Sequence, residues 1–147
     1  MAIAIYHSEI NRALRLYGLL RRKNLEVDLF RSLGKDYQQS NLQKKYDLII
    51  ISTALEPDSR ESKLTFEDMQ TTKRCETAWK LLEYLKRQPN PNLETPVAVI
   101  GAHVPSLRNE IKSEVKKLGA VFLDELESDS ELVREINKLM NRLLGSP

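Results

Sequence analysis

The sequence predicts an α/β domain built on a doubly wound parallel sheet. Two runs of apolar β-formers, Leu48-Ile49-Ile50-Ile51 and Val97-Ala98-Val99-Ile100, show no polar alternation, so each reads as a strand buried on both faces. Around them lie segments whose apolar residues recur at helical spacing. A strand buried on both faces needs helices on both sides, and right-handed crossovers then give a sheet covered front and back.

Ile3-Ala4-Ile5-Tyr6 opens the chain as a short strand, and Ser8 is placed to cap a helix over about 9–23. The apolar stripe expected of that helix is Ile10, Ala13, Leu14, Tyr17 and Leu20. Leu25 to Phe30 alternates apolar and charged residues, as a half-exposed edge strand does. A short, weak helix is expected over 34–45, before the buried strand that follows Tyr46-Asp47. Cys75 to Lys86 reads as a helix with Ala78, Leu81, Leu82 and Leu85 inward, and Pro89, Pro91 and Pro96 punctuate the loop after it. Ser106 to Leu118 is the next helix, with Gly119 as its C-cap, and Val121-Phe122-Leu123 is a short last strand. Ser128 with Glu131 three residues on is a capping box for a final helix carrying Leu132, Ile136, Leu139, Met140 and Leu143.

The expected architecture is one domain over 1–147, five strands each followed by a helix. A reaction or ligand site in such a sheet lies beyond the carboxyl ends of the strands. Those ends are Tyr6-His7-Ser8, Ser52-Thr53, Gly101-Ala102 and Asp124-Glu125.

Composition narrows the function classes. The chain has 147 residues, 30% of them charged, with a formal net charge of +2, which gives no reason to expect nucleic acid or an anionic membrane as partner. Cys75 is the sole cysteine, so neither an internal disulfide nor a zinc cluster is expected. The apolar start is too short for a signal peptide or a membrane span, and the expected location is the cytoplasm.

The chain resembles the receiver domain of bacterial response regulators. Tyr46 to Ile51 is similar to the family's central strand, Thr77-Ala78-Trp79-Lys80-Leu81-Leu82-Glu83-Tyr84-Leu85-Lys86 to its third helix, Thr95 to Ala102 to its fourth strand and small-residue exit, and Leu118 to Leu123 to its Gly-Ala turn and fifth strand. The resemblance implies a flavodoxin-like three-layer sandwich with strand order 2-1-3-4-5. It implies a chemistry too: two acids after the first strand and an aspartate after the third hold Mg²⁺, and the aspartate accepts a phosphoryl group. A Thr or Ser after the fourth strand and a Lys after the fifth complete the set.

None of these residue types is retained. The acidic pair falls on Tyr6-His7 or His7-Ser8, the nucleophile position holds Ser52, the hydroxyl position Gly101 and the lysine position Glu125. Without carboxylates Mg²⁺ has no anchor, so no catalytic residue, metal or cofactor is expected, and Glu125 should leave the pocket neutral or acidic. Ser52→Ala and His7→Ala, read as changes at solvent-facing strand ends, are expected to cost within about 1 kcal/mol. His7 beside Ser52 as a nucleophile–base pair is the less favoured alternative to a hydrogen-bonded bystander. Phe122 matches the family's switch aromatic.

The resemblance therefore points to a degenerate receiver, a protein-interaction module in signalling that works without phosphorylation. Its expected contact face is Leu107, Ile111, Val115 and Phe122 with Arg134, Lys138 and Arg142 on the outside of the last helix, and a homodimer through that face is compatible with it. Two alternatives stay open: a small-ligand or enzymatic flavodoxin-like domain, and a nucleic-acid accessory protein using the basic first and last helices. An insertion over about 55–76, longer than a strand-to-helix loop needs, reads as a solvated segment or as a lid or docking loop.

Overall fold

The computed structural model describes residues 1–34, 43–57, 72–125 and 128–143. Five strands, β1 (Ala2–Tyr6), β2 (Glu26–Phe30), β3 (Leu48–Ser52), β4 (Val97–Gly101) and β5 (Val121–Asp124), form one parallel sheet in the order β2-β1-β3-β4-β5. Helices α1 (Ile10–Arg21), α2 (Glu76–Arg87), α3 (Pro105–Lys117) and α4 (Asp129–Leu143) cover it. The weak helix expected over 34–45 and most of the 55–76 insertion lie outside the described residues.

Every residue of β3 and β4 is buried, as the unbroken apolar runs require of central strands. Their side chains alternate between two cores. Ile49, Ile51, Val97 and Val99 pack under α2 and α3, whereas Leu48, Ile50, Ala98 and Ile100 pack under α1 and α4. The edge strands β2 and β5 are only partly covered, which explains their polar or shorter sequences.

The start of α4 and the end of α3 follow local chemistry, and the start of α1 departs from it. Glu131 N–H donates to Ser128 Oγ at 3.3 Å, which caps α4. α3 begins with Pro105 and ends in a reciprocal pair of bonds, Gly119 N–H to the Lys116 carbonyl and Ala120 N–H to that of Val115. Gly119 stands at φ +80°, where a Cβ would strain the backbone. The exception is Ser8. Glu9 occupies the N-cap of α1, and the Ser8 hydroxyl instead accepts the Glu56 N–H at 2.7 Å.

Two expectations about helix faces are corrected. α1 buries Ala13, Leu16 and Leu20, while Ile10 and Leu14 are 45% and 51% exposed. The sequence holds two overlapping stripes on this helix, and the sheet residues Ile3, Ile5, Leu48 and Ile50 meet the one through Leu16. Leu107, Ile111 and Val115 do not form a contact face. They are the large apolar residues of α3, fully or nearly buried against Ile49, Ile51 and Val97, because the helix has no other stripe to give the core.

The proline-punctuated loop before β4 is held by two asparagines and a threonine. Asn90 Nδ2 donates to the carbonyls of Tyr84, Leu85 and Gln88 and so closes α2. Asn92 is fully buried; its Oδ1 accepts the Tyr46 N–H at 2.8 Å and its Nδ2 donates to the Lys44 carbonyl at 2.9 Å. Thr95 Oγ1 donates to the Tyr46 carbonyl at 3.0 Å. Asn92→Ala strands two backbone groups at the start of β3 and should lower stability by about 2 kcal/mol, readable as a shift in the urea midpoint with an unchanged slope.

Candidate functional site

The candidate site is the carboxyl edge of the sheet, where the loops after β1, β3, β4 and β5 converge. β1 delivers His7 to this edge, and the residue is fully buried. Its Nδ1 accepts the Glu9 N–H at 3.2 Å, which places the ring proton on Nε2. Nε2 then donates to Glu125 Oε2 at 3.2 Å, and both side chains are within 7% of complete burial. β1 and β5 are separated in the sheet by β3 and β4, so this bond spans the ends of the two central strands. His7 is not the solvent-facing residue its strand-end position suggests, because its ring and its partner are both buried.

Ser52, the last residue of β3, is also fully buried, and its Oγ accepts the Ala54 N–H at 3.0 Å. The hydroxyl closes its own turn, so a nucleophile–base pair with His7 is not formed: His7 is committed to Glu125 and Glu9. Ser52→Ala removes one local bond and should cost about 1 kcal/mol, measured by thermal melt.

The residues that sequence reasoning missed are Thr53 and His103. Both are buried, at 2% and 5% exposure, and Thr53 Oγ1 lies 2.6 Å from His103 Nε2. Their bond joins the β3 exit to the β4 exit. Gly101 is what admits it. A Cβ at position 101 would stand 2.4 Å from Thr53 Oγ1 and 2.7 Å from His103 Nε2, distances that real carbon atoms do not reach. The volume that the resemblance gives to a hydroxyl-bearing side chain is thus filled from both sides by this pair. No sequence spacing signals it, because the partners are 50 residues apart.

Around this plug the charges are internally committed. Asp124 accepts Arg108 Nη1 at 2.8 Å, and Glu125 is held by His7. Burial, and after it the Arg74 guanidinium, hold the His103 imidazole below its ordinary range, with Glu125 and Asp124 opposing them. Ser8 holds down the loop after β3 through Glu56, and that loop is tied to the one after β2 by the Leu33 N–H to Glu56 carbonyl bond of 2.9 Å.

Mg²⁺ does not fit this donor set. It wants hard oxygens in octahedral array, and the positions available offer an imidazole pointed at a carboxylate and two hydroxyls already bonded to backbone. Among the described residues no group of three or more His, Cys, Asp or Glu is placed to hold a metal ion.

Phe122 is half-buried on β5 and packs against the α2–α3 core. It also lines a shallow groove of about 350 Å³ with Arg108, Asn109, Lys112, Leu132 and Glu135, between α3, β5 and α4. Arg134, Lys138 and Arg142 are exposed on the outer side of α4, with Lys138 3.3 Å from Glu135.

No family model and no curated protein matches the sequence. Solved structures do match the fold. The receiver domain of a Francisella response regulator is 20% identical, with TM-score 0.68, over 96% of this chain and 97% of that one. A putative response regulator from Chloroflexus aurantiacus is 17% identical, with TM-score 0.69, over 95% and 96%. A chain described as one of a family of streptococcal redox sensors evolved from two-component response regulators is 21% identical, with TM-score 0.67; the match covers 95% of this chain and 51% of that one. The fold is that of the response-regulator receiver domain, with the strand order the resemblance implied.

Proposed function

We propose that this chain is a receiver-like regulatory module that works without a phosphoryl group and without enzymatic activity, by binding a protein partner in a signalling pathway. The observation that carries the reading is the Thr53–His103 bond seated where a side chain at position 101 would be. An aspartyl-phosphate cycle needs an open, metal-lined cavity in which a hydroxyl can follow the phosphoryl group. Here that volume is closed by neutral groups, and the acid at the nucleophile position is replaced by Ser52. The surface left for signalling is the groove between α3, β5 and α4, together with the exposed Arg134, Lys138 and Arg142. Cations on a helix rim favour an acidic partner surface and act mainly on association rate and specificity.

Cys75 is fully buried and burial pushes its thiol up to about 12, which disfavours the thiolate that oxidants attack.

Affinity capture from the source cell compares the wild type, Ser52→Ala, and the pair Arg134→Glu with Lys138→Glu. The expected result is one partner set retained by Ser52→Ala and lost by the charge reversals, with the reversals melting like the wild type and Ser52→Ala a few degrees lower. Loss with Ser52→Ala and retention by the reversals would replace this reading with a pocket-based one, and a concentration-dependent dimer disrupted by the reversals would identify the partner as a second copy.

A further inference from the structure

We propose that the Thr53–His103 contact is a proton-operated latch on the start of α3, so that a proton at His103 takes the place of the absent phosphoryl group as input. The inference rests on the phosphate-free reading above and adds a regulator to it.

Its basis is the mismatch between the two ring nitrogens. Nε2 is satisfied by Thr53, whereas Nδ1 is buried with no hydrogen-bond partner. With its one proton on Nε2, donated to Thr53 Oγ1, the neutral imidazole leaves only the Nδ1 lone pair without a partner. An imidazolium carries N–H on both, and a buried unsatisfied N–H of a charged ring is strongly disfavoured. The groups that face the ring offer no relief. Thr53 from the β3 exit is already bonded, and Arg74 ahead of α2 is like-charged. The acids at the end of β5 are engaged elsewhere, Asp124 with Arg108 and Glu125, the residue after the strand, with His7. The protonated ring is therefore driven out of its slot toward water.

The backbone allows that exit. His103 sits in the segment 102–104 between β4 and α3, and its neighbour Val104 is 64% exposed. The Val104 carbonyl accepts the Arg108 N–H at 2.8 Å in the first turn of α3, so moving the segment loosens that turn. Arg108, Asn109 and Lys112 of α3 line one side of the groove against β5 and α4. Proton binding at one end of α3 is thus connected to the contact face by a single helix.

The direction of the pH effect follows from the depressed pKa of His103. The closed state is favoured while the ring is neutral, at pH above its ordinary value of 6.5, and loses its advantage as pH falls below that value. The chain has two histidines, so ring resonances are assigned with His7→Gln and His103→Gln alone. An NMR titration of the full chain from about pH 7.5 to about pH 5 reads both ring and backbone. The expected result is that the amides of 101–104 and 106–108 shift with the same midpoint as the His103 ring. Hydrogen-exchange protection in the first turn of α3 should drop about tenfold while the central strands stay protected. His103→Gln should abolish the response and His7→Gln should keep it. Titration of the ring without movement of the α3 amides, a response that survives His103→Gln, or global unfolding at the same midpoint would each overturn the latch. None of those three results adds a phosphoryl group, so the phosphate-free reading would stand independently of them.

Discussion

Replacing Gly101 by threonine, the residue type the resemblance assigns to that position, should destabilise the domain by about 3 kcal/mol or more. The new Cβ would stand 2.4 Å from Thr53 Oγ1 and 2.7 Å from His103 Nε2, and both of those side chains are buried. Neither can yield like the end of a flexible surface chain, so the substitution must break their bond or shift the β4 exit. The cost is steric rather than conformational, because Gly101 lies within β4 in register with Asp124. Adding Thr53→Ala to Gly101→Thr should recover at least about 1 kcal/mol, since the double variant removes the closest clash. Urea unfolding of the two single variants and the double one measures this coupling; a Gly101→Thr protein as stable as the wild type would show that the slot is empty.

His7→Ala should cost about 3 kcal/mol at neutral pH, well above the value expected from sequence alone. The change leaves the Glu125 carboxylate, 7% exposed, without its donor, and leaves the Glu9 N–H without its acceptor. Removing one member of a buried pair is more damaging than removing both, because the remaining charge is uncompensated. Adding Glu125→Gln to His7→Ala should therefore restore part of the loss. Thermal and urea melts of the four proteins in the cycle give the coupling, and additive costs would mean that the pair contributes no interaction of its own.

These two sites mark where sequence reasoning reached and where it stopped. The central strands were legible because a parallel sheet covered on both faces leaves no room for polar alternation in Leu48–Ile51 or Val97–Ile100. The α4 start was legible because the Ser128 cap is a local contact. The departure from the receiver residue types was legible too, in His7, Ser52, Gly101 and Glu125 at the strand ends. What the side chains at those ends contact was not. His7 and Glu125 are 118 residues apart, and the Thr53–His103 pair has no periodic signature. Asn92, in a proline-rich stretch that reads as an ordinary loop, gives no local hint that its side chain stitches two backbone segments together. Leu107, Ile111 and Val115 fall at helical spacing on one face of a helix with no alternative apolar stripe, so the core has first claim on them.

The measurement that bears most directly on a closed, phosphate-free pocket is intact mass after incubation of the folded protein with acetyl phosphate and Mg²⁺. Among the described residues the pocket holds no carboxylate at the nucleophile position, no donor set suited to the metal, and no free volume beside Gly101. The expected result is an unchanged mass at all incubation times, with an unchanged melting temperature with or without Mg²⁺. A stoichiometric phosphoryl adduct, labile to hydroxylamine as an acyl phosphate on Asp124 or Glu125 would be, would contradict it.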